Sequence, residues 1–289
     1  IIEFKPESFF KVVGDFNNKD GATFSAELRQ DKMNKDQILA FLEKCKSSEF
    51  SVNNVEKKPG KKSPAPPFTT SSLQQEASRK LGFSVSQTMT VAQRLYENGH
   101  ITYMRTDSVH LAPEAILDAE KILKKEYGKE YSNPRNFTTS TKGAQEAHEA
   151  IRPSNFSLKE AGDDNNQRRL YQLIWKRTLA SQMASAELER TTIKITGTGI
   201  EDIFIAKGEV IIFDGFLKLY NISSEEDDNS ETPGILPKVS NGEILDYQQI
   251  DANERLTKYK PRYTEASLVK KLEELGIGRP STYAPTIST

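Results

Sequence analysis

Apolar and polar positions follow two different periods along this chain. Residues 9–16 are rich in aromatic and β-branched side chains, and residues 22–28 alternate between apolar and polar side chains; both patterns are typical of strands. Turn residues at 17–21 join them, so the pattern predicts a β-hairpin. After a short predicted helix at 36–47, β character continues over 50–55. It returns in the second half of the chain, at 191–196, 203–206, 210–220 and 236–249.

Between these β segments, apolar residues recur at intervals of three and four, which predicts amphipathic helices. The first helix runs from a Ser71 or Ser72 cap to Gly82, and the second runs from a Ser84 or Ser86 cap to an Asn-Gly pair. Two short helices followed by a strand are typical of helix-turn-helix DNA-binding proteins. Later helices are predicted at 113–127, 167–183 and 263–275, with Leu170, Leu173, Ile174, Trp175, Leu268, Leu272 and Leu275 facing a core.

A segment rich in lysine and proline, residues 57–67, separates the first β segments from the helices. Its composition disfavours both a helix and a buried strand. We predict a linker with a domain boundary here, and composition alone fits a surface loop equally well. Because β character lies on both sides of the helices, we predict one β domain that carries the helical part as an insertion.

The most informative segment follows the second helix, at residues 99–108. Its side chains alternate from Ile101 to Thr106 with the period of a strand, so Tyr103 and Arg105 would share a face, roughly 7 Å apart at the backbone. A phenol loses its proton only near pH ~10. A neighbouring guanidinium favours the phenolate and neutralises a phosphate under attack. The pair fits phosphoryl transfer to a tyrosine, and the simpler alternative is a packed tyrosine beside a solvated arginine.

Two further segments combine residues that suit a phosphate. In a helix over 145–153, His148 and Arg152 would share one face, and both can donate to a phosphate. The segment is not a zinc-protease motif, because Arg152 stands where the second histidine is needed. Arg279 and Ser281 follow glycines at a predicted helix start, which suits phosphate binding. The alternatives are a solvated helix face for the first segment and an ordinary capped turn for the second.

The amino-acid composition restricts which partners and which kinds of site this chain can have. The 289 residues include 40 lysines and arginines against 41 aspartates and glutamates, which argues against a nonspecific polycation but allows a locally basic nucleic-acid path. The acidic run at 225–228 fits a solvated loop better than a metal site. A single cysteine and three histidines exclude an intrachain disulfide and a cysteine-based zinc module. Without a leader or an apolar run of about 18 residues, we expect a cytoplasmic protein with no membrane contact.

Four separated stretches carry longer distinctive strings. They are PFTTSSLQQEA at 67–77 with AQRLYE at 92–97, ITYMRTDS at 101–108, QEAHEAIRP at 145–153, and GIGRPSTY at 276–283. In this order they resemble the motifs of type IA DNA topoisomerases, particularly bacterial DNA topoisomerase I. The likeness is looser across the β segments.

This resemblance implies an α+β multidomain fold. A β arch or hinge domain would comprise 1–65 and 191–258, a mainly helical, helix-turn-helix-like domain with the catalytic tyrosine would comprise 66–190, and 259–289 would be a fragment of a further helical domain along the DNA path. The resemblance also implies roles for individual residues. Catalysis would fall to Tyr103, Arg105 and His148, and DNA contacts to Thr102, Arg152, Arg279 and Ser281.

The family resemblance further implies a reaction. One DNA strand is cleaved through a 5′-phosphotyrosine link, a strand passes, and the break is religated without ATP. The magnesium site of the family lies in a Toprim domain that has no counterpart here, so we expect no cofactor within this chain and an inactive isolated fragment. Single-stranded DNA is the expected partner, and a monomer the expected state.

Two other interpretations remain. The first is a non-catalytic DNA-binding scaffold of helix-turn-helix type, in which Tyr103 packs or stacks. The second is a site-specific recombinase, which would leave a 3′-phosphotyrosine instead. The sequence does not separate a relaxing from a decatenating enzyme, although the string at 276–283 favours the relaxing form.

Overall fold

A computed structural model describes residues 4–29, 33–138, 148–220, 234–259 and 261–288. The chain forms two compact units. The first comprises 1–61, 187–212 and 231–261, and the second comprises 62–186, 213–230 and 262–289. The assignment of these parts to an arch and a catalytic domain stays a prediction. No helix within the described ranges has the length and apolar character needed to cross a membrane.

The first unit is a closed six-stranded barrel with strand order β1-β2-β5-β4-β3-β6. The prediction that early and late β segments pair is confirmed, because β1 runs antiparallel to β6 from Ser8 opposite Leu256 to Asn17 opposite Asp246. Among the described residues of this unit, one helix is present, α1 (Lys35–Lys46). The strands are β1 (Ser8–Asn17), β2 (Thr23–Arg29), β3 (Phe50–Lys62), β4 (Ala186–Gly197), β5 (Ile203–Phe213) and β6 (Ile244–Leu256).

Aromatic rings fill the barrel. Phe16, Phe50 and Phe204 are each at most 1% exposed, and their ring centroids lie 5.3–5.9 Å apart in edge-on geometry. Such aromatic pairs add to the free energy gained from burial alone. Phe41 on α1 packs against the Phe204 ring at 6.1 Å, so the helix contributes to the same core.

The predicted linker is wrong for residues 57–62. β3 continues to Lys62 through Pro59, with most of its second half exposed. An exposed strand carries no apolar alternation, so its composition did not reveal it. Two other boundaries also moved: β5 ends at Phe213 before a 3₁₀ turn (Gly215–Lys218), and β6 begins at Ile244 rather than at 236. The acidic run at 225–228 lies outside the described residues.

The second unit is mainly helical. Thr69 caps its first helix rather than either predicted serine, in a capping box with Ser72, and Gly82 ends that helix with a φ of 70°. Ser84 caps the next helix, as predicted. The helices are α2 (Thr70–Leu81), α3 (Val85–Glu97), α4 (Pro113–Glu126), α5 (Asn165–Ser181), α6 (Glu265–Glu274) and α7 (Tyr283–Ser288), with a 3₁₀ turn at Lys129–Tyr131.

Helix α5 forms the centre of this unit. The four predicted core residues on it are all buried, and Leu170 and Ile174 are fully so. The Trp175 indole donates a hydrogen bond to the Phe156 carbonyl at 2.9 Å. Buried residues from α2, α3 and the segments around Phe68 and Ile151 pack in the same cluster, so α5 supports the part of the chain that carries the sequence motifs.

Helix α6 packs in the second unit through a face that matches the prediction in part: Leu272 packs against the cluster of Val85, Val269 and Tyr283, as predicted, and Leu268 is half-buried. Ala266 and Val269 are buried, whereas Leu275 is 58% exposed, so the inward placement of Leu275 is wrong. The contact that decides the face is Val269 with Val85 and Tyr283, residues distant from it in sequence. A carboxylate on α6 fixes the helix further, since the Ser71 hydroxyl donates to Glu273 Oε2 at 2.7 Å.

The barrel core makes one testable prediction. Phe204→Ala should lower the free energy of unfolding by about 3–5 kcal/mol, because it removes a fully buried ring and leaves a cavity. Urea denaturation followed by circular dichroism measures the change. Ile211→Ala, at a position 54% exposed on the same strand, is the control and should stay within about 0.5 kcal/mol of the parent chain. Equal losses for the two variants would contradict this account of the core.

Candidate active site

The predicted strand is wrong, because residues 101–106 form a segment with bends at Thr102 and Met104 and no strand. Among the described residues, its one ladder contact is an isolated bridge between Ile101 and Pro153. The predicted alternation is nevertheless present from Tyr103 onward: Tyr103 and Arg105 are exposed, and the residues between and after them are buried. The backbone groups of the segment bind the start of α2 and the segment around residue 151 instead of a neighbouring strand.

The start of α2 holds one side of this segment. The Thr70 N–H donates to the Thr106 carbonyl at 2.9 Å. The Thr70 hydroxyl lies 2.8 Å from the Met104 carbonyl oxygen and accepts the Thr106 N–H at 2.9 Å. Thr70 is fully buried. The sequence analysis missed this residue, although it lies inside a recognised string; no residue pattern indicates that a hydroxyl binds a segment 34 residues away.

Thr102 holds the other side. Its N–H donates to the Arg152 carbonyl at 2.9 Å, and its hydroxyl donates to the Ala150 carbonyl at 2.7 Å and accepts the Arg152 N–H at 2.9 Å. These bonds place the residue before Tyr103 directly beside residues 150–152. The hydroxyl of Thr102, predicted to contact DNA, is therefore engaged within the protein.

His148 begins the described part of its segment, and residues 145–147 lie outside it. From His148 to Pro153 the chain is not helical, so the shared helix face predicted for His148 and Arg152 is wrong. Ala150 donates its N–H to the His110 carbonyl, and Ile151 donates to the Phe68 carbonyl, each at 2.8 Å. These bonds to distant residues hold the segment extended. The His148 side chain is exposed.

Arg152 is neutralised by a neighbour. Its Nε lies 2.6 Å from Glu149 Oε1 and its Nη2 lies 3.0 Å from Glu149 Oε2, with the side chain 18% exposed. Glu149 Oε1 also accepts the Ala112 N–H at the start of α4, at 2.8 Å. The pair therefore anchors the residue that follows His148. Glu149 was missed because a carboxylate beside a phosphate-binding group has no obvious role in sequence.

Among the described residues, the Tyr103 side chain is held by a ring contact. Its ring packs edge-on against Tyr96 of α3, with centroids 5.2 Å apart, and 46% of the residue is exposed. Within the described residues, neither the Tyr103 hydroxyl, nor the Arg105 guanidinium, nor the His148 imidazole has a hydrogen-bond or ion-pair partner. The three predicted catalytic groups are thus exposed and available to a ligand.

Arg279 and Ser281 lie in the turn between α6 and α7. The Arg279 guanidinium donates to the Gly278 carbonyl at 2.9 Å, and the Arg279 backbone N–H donates to the Thr282 hydroxyl at 2.8 Å. Arg279 lines a cleft of about 720 Å³ together with Asp107, which follows the Arg105 segment. Ser281 is exposed and does not line that cleft.

The electrostatics of this turn involve Tyr283, the first residue of α7. Burial raises the pKa of its phenol above the ordinary value, the carboxylates of Glu273 and Asp107 raise the pKa further, and Arg279 opposes them. The Asp107 carboxylate therefore affects the pKa of the same tyrosine as Arg279 in the turn does. Across the described ranges, histidine, cysteine, aspartate and glutamate side chains nowhere form a group of three or more suited to a metal.

Comparison with known proteins assigns the chain to a family. The family described as DNA topoisomerase matches residues 1–289. The chain is 46% identical over 300 residues to "DNA topoisomerase 1" of Zymomonas mobilis and 44% identical over 312 residues to that of Rickettsia felis. These matches cover 98% and 100% of the chain, but 24% and 40% of the two relatives.

A solved structure agrees. Full-length topoisomerase I from Thermotoga maritima superimposes with a TM-score of 0.81 and 35% identity, covering 100% of this chain and 47% of that one. The chain belongs to the DNA topoisomerase family, in its bacterial type IA topoisomerase I group. It spans less than half of the length of each of these three proteins, so the reaction of a whole enzyme is a matter for proposal.

The Thr102 contacts generate a prediction. Thr102→Val keeps the side-chain shape but leaves the Ala150 carbonyl and the Arg152 N–H without their partner. The free energy of unfolding should fall by about 1–3 kcal/mol. Urea denaturation followed by the fluorescence of Trp175, the one tryptophan of the chain, measures this unit. Thr102→Ser retains the hydroxyl and should lose clearly less. A valine variant as stable as the serine variant would show that these bonds contribute little.

Proposed function

We propose that this chain is the central gate segment of a type IA DNA topoisomerase, with Tyr103 as its nucleophile. The proposal rests on one observation: hydrogen bonds fix the backbone around Tyr103 and Arg105, whereas the two side chains are exposed. Tyr103 and Arg105 are exposed, and their side chains have no hydrogen-bond partner in the described structure. The buried residues Met104 and Thr106, which alternate with them, hold the segment in place. A preorganised site of this kind loses little free energy to rearrangement during the reaction.

The proposed step transfers a phosphoryl group from DNA to protein. The Tyr103 phenolic oxygen attacks a phosphorus of one strand and forms the new O–P bond. The bond from that phosphorus to the 3′ oxygen breaks, the phenol gives up its proton, and the 3′ oxygen leaves as a hydroxyl. The 5′ end stays on Tyr103. Arg105 stabilises negative charge on the phosphate and the phenolate, and His148 helps to hold the phosphate.

Religation reverses this step. The 3′ hydroxyl attacks the phosphotyrosine, which returns the phosphodiester and the phenol. Because the ester conserves the energy of the broken bond, no ATP is consumed. Between the two steps, a strand passes through the gap, and we assign the hinge movement to the β unit. The substrate is a single-stranded DNA segment, and we propose a monomer that acts in the cytoplasm.

The proposed DNA contacts fall into two kinds. Arg279 and Ser281 are exposed, and we propose that they contact the DNA backbone directly. Thr102 and Arg152 are bound to each other and to residues 149–150, so we propose that they act on DNA by holding the segments beside the phosphate. The magnesium ion would be held by a Toprim domain outside this chain, and the chain alone is expected to cleave poorly or not at all.

The nucleophile is tested by mixing this chain with a separately produced Toprim-containing piece, magnesium, and a 3′-labelled single-stranded oligonucleotide. On a denaturing gel, label should join this chain, because the 5′ phosphoryl end of the labelled product stays attached. Tyr103→Phe should abolish the adduct, since it removes the attacking oxygen. Tyr96→Phe, which keeps the neighbouring ring, should leave the adduct in place.

Other outcomes separate the alternatives. No adduct from pieces that copurify, with oligonucleotide binding that survives Tyr103→Phe, would support the DNA-binding scaffold; the consecutive helices α2 and α3 favour it as the second candidate. Adduct only with 5′-labelled oligonucleotide would indicate a 3′-phosphotyrosine and a recombinase. Clear cleavage by the chain alone would contradict the assignment of magnesium to another domain.

A further inference from the structure

The side chain of Thr70 makes an unusual set of bonds for the first residue of a helix. Besides the Met104 and Thr106 contacts, its hydroxyl lies 3.1 Å from the Thr106 carbonyl oxygen, which also accepts the Thr70 N–H. A hydroxyl has one hydrogen to donate and two lone pairs. The single proton is therefore shared between two carbonyls, and a lone pair accepts the Thr106 N–H. Thr70 has no exposed surface.

These bonds fix the backbone on both sides of one residue, Arg105. Met104 and Thr106 flank Arg105, and both are bound to the same oxygen, so the backbone on either side of Arg105 cannot shift along the chain without breaking a buried hydrogen bond. Such bonds are costly to lose, because the freed groups have no water to bind. The Arg105 side chain makes no polar contact with other described residues, so its direction depends on this backbone.

We propose that the Thr70 hydroxyl is a positioning group that aims Arg105 at the phosphate attacked by Tyr103. This inference rests on the proposed function. Helix α2 then has an indirect role in the reaction. Through the Thr70 side chain, the start of α2 restrains the backbone beside Arg105, as a neighbouring strand would in a sheet. Displacement of a charged group by about 1 Å is enough to lower a rate by two orders of magnitude.

A double-mutant cycle tests the proposal, because a positioning group acts only through the residue that it positions. The variants are Thr70→Val, Arg105→Ala and the double variant, in the mixture of chain, Toprim-containing piece and magnesium. The readouts are the single-turnover rate of adduct formation at saturating oligonucleotide and, separately, the oligonucleotide Kd. Thr70→Val should lower the rate about tenfold or more in the parent chain, with little change in Kd. In the Arg105→Ala background it should lower the rate less than about twofold.

Thr70→Ser is the matched control. It keeps the hydroxyl and loses only the methyl group, so its rate should stay within about twofold of the parent chain. Circular dichroism and Trp175 fluorescence verify that each variant is folded. If the valine variant does not fold, Thr70→Cys replaces it in the same cycle, since a thiol is a weaker donor and acceptor, and the same order of rates is expected.

The outcomes are distinguishable from failure of the proposed function. Equal rate losses from Thr70→Val in both backgrounds would overturn the positioning role and leave Thr70 as a purely structural residue. Equal losses from valine and serine would do the same, because the methyl group would then be responsible. An adduct that survives Tyr103→Phe, or a rate unchanged by Arg105→Ala, would instead contradict the proposed function itself, whatever the Thr70 variants do.

Discussion

Two threonines, Thr70 and Thr102, hold residues 101–106 in place, although these residues form no strand in the described structure. A half-buried segment outside a sheet must still find partners for its backbone N–H and carbonyl groups. Here the Thr70 hydroxyl, at the start of α2, binds the Met104 carbonyl and the Thr106 N–H. The Thr102 N–H and hydroxyl bind the backbone of Ala150 and Arg152. The segment is fixed without being covered, so Tyr103 and Arg105 remain exposed.

The barrel brings together strands that lie far apart in the chain. Its first strand, β1, pairs over its whole length with its last, β6, and the largest part of the helical unit, residues 62–186, is inserted between β3 and β4. Loop-closure entropy grows only slowly with the length of an insertion. The fully buried rings of Phe16, Phe50 and Phe204 offset that entropy by packing against one another from three strands. A barrel built this way tolerates a large insertion with little loss of stability.

Sequence interpretation succeeded where local interactions determine the structure and failed where residues distant in sequence determine it. Strands β1 and β2, helix α3 and the core face of α5 were predictable, because alternation, caps and helical periods are local. The strand state of Lys57–Lys62, the extended state of His148–Pro153 and the exposure of Leu275 were not, since distant residues decide each of them. Of the candidate site, the motifs located Tyr103, but no local pattern indicates that a threonine 33 residues earlier binds beside it.

Residue type did not reveal how the positive charges of the site are used. Arg105 and Arg152 both belong to recognised strings, and both are natural partners for a phosphate. The structure gives Arg152 two short contacts to Glu149, whereas Arg105 has no acidic partner among the described residues. A phosphate that approaches Arg105 therefore gains the full attraction without first breaking an ion pair. The Glu149–Arg152 pair contributes rigidity next to His148 rather than charge. One arginine is thus available to a ligand and the other is held within the protein, and hydrogen-bond geometry alone distinguishes them.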